Sequence, residues 1–150
     1  MNNLRSIINC FFQTDFNLGN ERYVSVHDYN GETLIHIRQF KKYGERIYPT
    51  TLGVHLTIAQ FMTLIDLLEE INNDVRDVQD KKVESFKYNL GNNVYVTASK
   101  EYPVVHIRFY FQNELMPFAL PSKTGIALRF SEWNKLVELA EAVKTILNKN

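Results

Sequence analysis

Apolar and polar positions alternate in two stretches of the chain that repeat each other. Residues 34–40 read Leu-Ile-His-Ile-Arg-Gln-Phe and residues 104–110 read Val-Val-His-Ile-Arg-Phe-Tyr, with His and Arg at the same two places. A period of two is typical of a strand with one buried face. The copies lie 72 residues apart at Pro49 and Pro121. Because solenoid repeats are shorter, we interpret the chain as a small domain written twice.

Turn signals divide the first copy into four strands and one helix. Asn30-Gly31 predicts a tight hairpin turn, and Tyr43-Gly44-Glu45 predicts a second turn. The predicted strands are Arg22–Tyr29, Thr33–Lys41, Arg46–Pro49 and Leu52–Leu56. Residues 57–60 match a capping box, so a helix is predicted from about Ile58 to Asn73 or on to Val78. The second copy repeats this order, with its first hairpin shortened to residues 100–103 and with Ser131 as the helix N-cap.

Both predicted helices carry more apolar surface than one sheet can cover. At about 100° per residue, the apolar side chains of the first helix spread over about 220°, and those of the second helix over about 180°. A helix that covers one sheet needs a stripe only slightly wider than about 100°. The additional apolar surface predicts that helix 58–73 packs against helix 132–147, which makes the chain an intramolecular pseudo-dimer.

The predicted fold class is therefore α+β, with two tandem ββββα units. The first unit is expected at residues 16–76 and the second at residues 88–150, with a charged linker at residues 77–87. Residues 1–15 are predicted to form either a short amphipathic helix or an arm that covers a sheet edge. Units this small bury little surface alone, so a shared core is expected.

Composition excludes several classes of protein. The 45% apolar and 23% charged content is that of a folded soluble protein. No apolar run approaches the roughly 18 residues of a membrane span, and the N-terminus lacks a signal-peptide pattern. The lone Cys10 excludes an internal disulfide and favours a reducing intracellular compartment. Net charge is zero, but basic residues exceed acidic ones in the strand-rich part of each copy, which predicts a mildly positive sheet.

Catalytic and metal-binding patterns have little support. The sequence contains no Gly-rich phosphate loop, no HExxH and no recognisable nucleophile–histidine motif. His36 and His106 are at equivalent positions, but structural zinc normally takes four ligands, and Cys10 and His55 have no repeated partner. We therefore expect no enzymatic activity, no cofactor and no metal, and interpret both histidines as polar strand residues beside a binding face.

The first copy resembles the positive cofactor four family of transcriptional coactivators, which is similar in fold to the plant Whirly proteins. The resemblance rests on residues 23–38, on Pro49-x3-Gly53-Val54-x-Leu56 and on Phe61. It covers residues 16–75 and, more loosely, residues 88–147. It implies a curved antiparallel sheet of four strands, a helix that dimerises, and a sheet ridge that binds single-stranded or melted DNA.

The resemblance also implies roles for particular residues. The aromatic residue at the hairpin tip falls on Tyr29, and the strand arginine falls on Arg38 and Arg108. Where the family has basic residues around the hairpin, this chain has His27, Asn30 and Glu32. The two copies are therefore expected to bind unequally.

Aromatic and basic residues also interleave along the strands, as a binder of single-stranded nucleic acid requires. From this pattern and the resemblance, the candidate nucleic-acid-binding residues are Arg22, His27, Tyr29, His36, Arg38, Phe40, Lys41, Lys42, Tyr43, Arg46, Lys100, Tyr102, His106, Arg108, Tyr110, Phe111 and Lys123.

The predicted function is binding of single-stranded DNA with low sequence specificity, in a coactivator-like role in transcription, DNA replication or both. The alternative is a protein-interaction module that has lost strong DNA binding. Single-stranded or melted DNA is the expected partner. RNA, transcription proteins, replication proteins and further copies of the chain are additional candidates, and no membrane is expected. The expected location is intracellular: the nucleus if the origin is eukaryotic or viral, and otherwise the cytoplasm.

Overall fold

The computed structural model describes residues 15–148, which form two four-stranded antiparallel sheets, each followed by one helix. Unit 1 contains β1 (Asp15–Gly19), β2 (Arg22–Tyr29), β3 (Glu32–Tyr43), β4 (Arg46–Thr57) and α1 (Ile58–Gln79). Unit 2 contains β5 (Ser85–Gly91), β6 (Val94–Ser99), β7 (Tyr102–Gln112), β8 (Ala119–Arg129) and α2 (Phe130–Asn148). Each sheet has its strands in chain order. The predicted α+β class with two ββββα units is confirmed.

Several predicted element bounds are wrong. The sequence interpretation misses β1, and it divides β4 into two strands although β4 is continuous. Helix α2 begins at Phe130, one residue before the predicted N-cap Ser131. Within the predicted linker, residues 77–79 belong to α1 and residues 85–87 to β5. The domain boundaries stay a prediction, and residues 1–14, with the predicted arm or short helix and Cys10, lie outside the described residues.

A bulge explains why β4 looks like two strands in the sequence. Arg38 pairs with Gly53 and Phe40 pairs with Pro49, so three residues of β4 lie opposite Gln39 alone. Unit 2 has the same irregularity between the pairs Arg108–Gly125 and Tyr110–Pro121. Extra residues on one strand interrupt the apolar alternation without ending the strand.

Tight turns explain the other repeated motif, Leu-Gly-Asn. In unit 1 the β1–β2 turn residues Asn20 and Glu21 have φ values of 54° and 65°. In unit 2 the β5–β6 turn residues Asn92 and Asn93 have φ values of 50° and 64°. Two successive residues with positive φ are characteristic of the two-residue hairpin turn whose twist suits antiparallel strands.

One apolar core spans both units. Its main cluster includes strand residues of both sheets together with Phe61 of α1 and Trp133 of α2, both of which are fully buried. Helix α1 contacts β3 and β4 of its own unit and also β5 and β6, while α2 contacts β7, β8, β1 and β2. The helices also contact each other, and β4 lies beside β8. This packing is that of an intramolecular pseudo-dimer.

The helix N-termini connect the two units through equivalent residues. Gln60 accepts a hydrogen bond from the Thr57 backbone N–H (2.9 Å) and donates one to the carbonyl of Gly91 in unit 2 (2.8 Å). Glu132 accepts from the Arg129 backbone N–H (2.8 Å) and from Asn20 Nδ2 of unit 1 (2.7 Å). Each side chain thus caps its own helix and holds the first hairpin turn of the other unit. We call these contacts the two clasps.

No helix within residues 15–148 is long and apolar enough to cross a membrane.

Candidate nucleic-acid interface

Each sheet has one face against the helices and one open face. The strand register aligns open-face residues of neighbouring strands in rows. In unit 1 the rows are Tyr23–Arg38–Gly53 and Ser25–His36–His55; in unit 2 they are Tyr95–Arg108–Gly125 and Thr97–His106–Ala127. The predicted His and Arg positions of both copies therefore lie on the open faces.

The arginine of each row is held over the glycine of the next strand. Arg38 Nη1 donates to the carbonyl of Thr50 in the β4 bulge at 3.0 Å, and Arg108 Nη1 donates to the carbonyl of Ser122 at 3.0 Å. The glycines make this possible, because a Cβ at Gly53 or Gly125 would lie 2.6 Å from arginine side-chain carbons. Each guanidinium is thus fixed in place with further N–H donors left for a ligand.

The strand glycines give a first test of this arrangement. Gly125→Ala is expected to lower the free energy of unfolding by about 1–3 kcal/mol, because the new methyl group must displace Arg108 or the strand backbone. Gly53→Ala should have an effect of similar size through Arg38. Urea denaturation measures both, with Thr124→Ala at an exposed position of the same strand as the control. A gain in stability, as expected for Gly→Ala in a strand with free space, would contradict the arrangement.

The open face of unit 2 contains a groove made of two depressions that meet at Thr97 and His106. The first depression is lined also by Ser85, Phe86, Lys87, Ala98, Ser99, Tyr102 and Val104, and the second by Arg108, Tyr110, Phe111, Pro121, Ser122 and Lys123. Six predicted site residues therefore line one groove: Tyr102, His106, Arg108, Tyr110, Phe111 and Lys123.

Sequence reasoning missed Lys87 and Tyr95. The Lys87 ammonium lies 4.4 Å from the ring centroids of both Tyr95 and Tyr110, and the two rings pack edge to face at 5.0 Å. Lys87 is missed because the sequence pattern assigns residues 77–87 to a linker. The available signal is the alternation of Phe86, Tyr88 and Leu90 with exposed polar residues, which marks β5 as a strand.

The open face of unit 1 differs at the corresponding place. Asp15 accepts a hydrogen bond from Ser25 Oγ, and its other oxygen has no hydrogen-bond partner among residues 15–148. Burial raises the pKa of Asp15 to about 6, although the Ser25 hydrogen bond acts in the opposite direction. Below that pH the carboxyl group is largely neutral, and above it the group carries a negative charge.

His27 lies beside this carboxyl group and is the first of three neighbouring histidines. The His36 ring lies 6.0 Å from the His27 ring and 5.7 Å from the His55 ring. Burial, followed by the positive charge of Arg38, lowers the pKa of His36 to about 4. Burial also lowers the pKa of His27, which Asp28 partly offsets. His36 is therefore uncharged at neutral pH, and within residues 15–148 no group of His, Cys, Asp or Glu is arranged to hold a metal ion.

The remaining candidates of unit 1 are not members of these rows. Phe40 is buried against Tyr23 and Ile47, so its ring serves packing. Tyr29 is 66% exposed beside the β2–β3 turn. The other four are exposed on the outer part of the β3–β4 hairpin: Lys41, Lys42, Tyr43 and Arg46.

Two candidates are engaged in ion pairs. Arg22 contacts the fully buried Glu132 at 3.3 Å and is part of the second clasp. Lys100 pairs with Glu84 at 2.7 Å, which offsets its charge. We therefore leave Arg22 and Lys100 out of the proposed interface.

Residues 16–67 match the model of the family described as Transcriptional Coactivator p15 (PC4). Unit 1 is similar to this coactivator family. A protein of Neurospora crassa described as "Putative RNA polymerase II transcriptional coactivator" is 32% identical over 63 residues. The similar region covers 42% of this chain and 37% of that protein, so the chain spans well under half of the relative.

Among solved structures, the crystal structure of the MoSub1–ssDNA complex in phosphate buffer is similar to part of the chain. The identity is 22%, the TM-score is 0.40, and the similarity covers 42% of this chain and 76% of that chain.

Proposed function

We propose that this protein binds single-stranded DNA with low sequence specificity and acts in a coactivator-like role in transcription, DNA replication or both. The observation that carries the proposal is the arginine fixed over a strand glycine, beside an aromatic ring, on the open face of both sheets. The similarity of residues 16–67 to a coactivator family supports it. A nuclear location, in a eukaryotic or viral context, belongs to the same proposal.

The groove of unit 2 has the chemistry that a flexible single strand needs. Arg108 and Lys123 provide positive charge for phosphates, and the rings of Tyr102 and Phe111 are 65% and 41% exposed for bases. Stacking on such rings stabilises a complex by about 1–3 kcal/mol per base, and every base has a face to stack. Stacking needs bases that are not paired, so single strands should bind more tightly than duplex.

The experiment that tests the proposal compares a fluorescent single-stranded oligonucleotide with duplex of the same sequence by anisotropy. We expect tighter binding of the single strand, and a roughly tenfold or greater loss of affinity in Arg108→Ala, because hydrogen bonds to charged groups contribute about 1.5–3 kcal/mol. Arg76→Ala is the matched control, since Arg76 is exposed on α1 and contacts Asn73. Equal or tighter binding of duplex contradicts the mechanism.

The second candidate function is a protein-interaction module. Its support is the apolar tip between β7 and β8, where Leu115 is 89% exposed and Phe118 is 55% exposed. The corresponding turn of unit 1 consists only of Gly44 and Glu45. If the oligonucleotide does not bind even at low salt, the interaction module becomes the better explanation.

A further inference from the structure

We infer that the two open faces bind single-stranded DNA with unequal affinity. Lys87 of unit 2 contacts a phosphate of the DNA, whereas Asp15 of unit 1 repels a phosphate at the equivalent place. This inference rests on the proposed function. It adds a binding residue, and it assigns the tighter site to unit 2.

The register shows that the two residues are equivalent. Asp15 of β1 pairs with Ser25 of β2, and Lys87 of β5 pairs with Thr97 of β6. Ser25 in turn pairs with His36 of β3, and Thr97 pairs with His106 of β7. The same place on the open face thus carries a carboxyl group in one unit and an ammonium group in the other.

Lys87 is positioned for a phosphate by its neighbours. Two tyrosine rings hold its ammonium group at 4.4 Å from their centroids, which restricts a side chain that otherwise loses much rotamer freedom on binding. Ring contacts leave its N–H donors available for phosphate oxygens. Lys87 lines the first depression, and Arg108 and Lys123 line the second. Neither depression has an Asp or Glu among its lining residues. Single-stranded DNA lying along the groove would pass all three cations.

The corresponding rings of unit 1 do not support a cation in this way. Tyr23 and Phe40, which correspond to Tyr95 and Tyr110, pack with Ile47, and Phe40 is only 4% exposed. In unit 2 the residue corresponding to Ile47 is Ala119, a smaller side chain. The aromatic pair of unit 1 is therefore closed into a small apolar cluster, whereas that of unit 2 supports a cation.

Charge on the unit 1 face also disfavours a phosphate. The Asp15 side chain is fully buried beside Ser25, and one of its oxygens has no hydrogen-bond partner in the described part of the chain. Within residues 15–148 the basic group paired with it is His27, whose Nε2 lies 3.8 Å from Asp15 Oδ1. Arg38 is thus the cation of the aligned rows in unit 1. Single-stranded DNA on this face would pass the carboxyl group of Asp15 at the place where unit 2 has the ammonium group of Lys87.

The test uses the full chain and a short single-stranded oligonucleotide of mixed sequence. Lys87→Gln should weaken binding about tenfold and reduce the magnitude of the slope of log K against log salt by about 0.7, the value for one phosphate contact on a single strand. Lys144→Ala on α2 removes one positive charge from the helix layer and should change neither quantity appreciably. Arg108→Ala should weaken binding several-fold more than Arg38→Ala.

Variants of Asp15 give the reciprocal result. Asp15→Asn should strengthen binding, and Asp15→Lys should raise the number of oligonucleotides bound per chain towards two. Asn is the safer substitution, because it can still accept the Ser25 hydrogen bond. Thermal unfolding of each variant verifies that it is folded.

The outcomes separate this inference from the proposed function. If the unmodified chain fails to bind the single strand, the proposed function fails. If the chain binds but Lys87→Gln behaves like Lys144→Ala, or Arg38→Ala costs as much as Arg108→Ala, the proposed function stands and the unequal faces are overturned.

Discussion

Replacing Glu132 with Ala is expected to lower the free energy of unfolding by about 3–5 kcal/mol, the usual cost of breaking a buried ion pair. Glu132 is fully buried, and its carboxylate accepts hydrogen bonds from Asn20, Arg22 and the Arg129 backbone. Its removal leaves the Arg22 guanidinium, whose side chain is only 17% exposed, without a counter-charge. It also removes the cap of α2 and one of the two clasps between the units.

The repeat supplies an unusually well matched control. The other clasp uses Gln60 where this one uses Glu132, and Val94 stands where Arg22 stands. Arg22→Val alone should be strongly destabilising, because it leaves a buried carboxylate unpaired. The double variant Arg22→Val/Glu132→Gln should be clearly more stable than the sum of its single variants, since it recreates the neutral clasp. Urea denaturation of the four proteins forms the double-mutant cycle, and strict additivity would show that the two residues do not interact.

Local patterns predict the parts of this fold that depend on local chemistry. The Thr57–Gln60 capping box, the Asn30-Gly31 turn and the alternation in β2 and β3 all have the structure that the sequence indicates. In each case the deciding interaction lies within a few residues, or within the burial of one strand face. The apolar arcs of both helices similarly predict their contact with a second partner, because uncovered apolar surface must be buried.

The errors have physical causes as well. The strand β1 has only five residues, and Phe16 and Leu18 alone provide its apolar pattern. Missing β1 and β5 hides the contrast between Asp15 and Lys87, which is visible only when both residues are assigned to strands. Arg22 was a candidate for binding because it is basic, but its partner lies 110 positions away in the sequence. Nothing near Arg22 in the chain indicates that contact.

Replacing Trp133 with Ala is expected to lower the free energy of unfolding by about 3–5 kcal/mol, because it opens a cavity in the core shared by the two units. For a domain of this size the midpoint of thermal unfolding should fall by roughly 6–20 °C. Trp133 is fully buried, and its Nε1 donates to Asn72 Oδ1 of α1 at 3.0 Å. The side chain thus combines apolar burial with a hydrogen bond between the helices.

Two further variants separate these contributions. Trp133→Phe keeps an aromatic ring and places in α2 the residue found at the equivalent position of α1, Phe61. It should cost less than Trp133→Ala, with about 1 kcal/mol from the lost hydrogen bond and an additional cost from the smaller ring. Phe61→Ala should cost about as much as Trp133→Ala, because Phe61 is also fully buried in the same core.

The cooperativity of unfolding is the decisive readout for these core variants. Because the main cluster joins strands of both sheets to both helices, far-ultraviolet circular dichroism should show a single transition in every variant. In the unmodified chain and in Phe61→Ala, which both keep Trp133, tryptophan fluorescence should report the same transition. The sole Trp133 reports on unit 2, while circular dichroism reports on both units. If Trp133→Ala melts part of the circular dichroism signal and Phe61→Ala melts the other part at a separate temperature, the two units fold independently and their shared core contributes little.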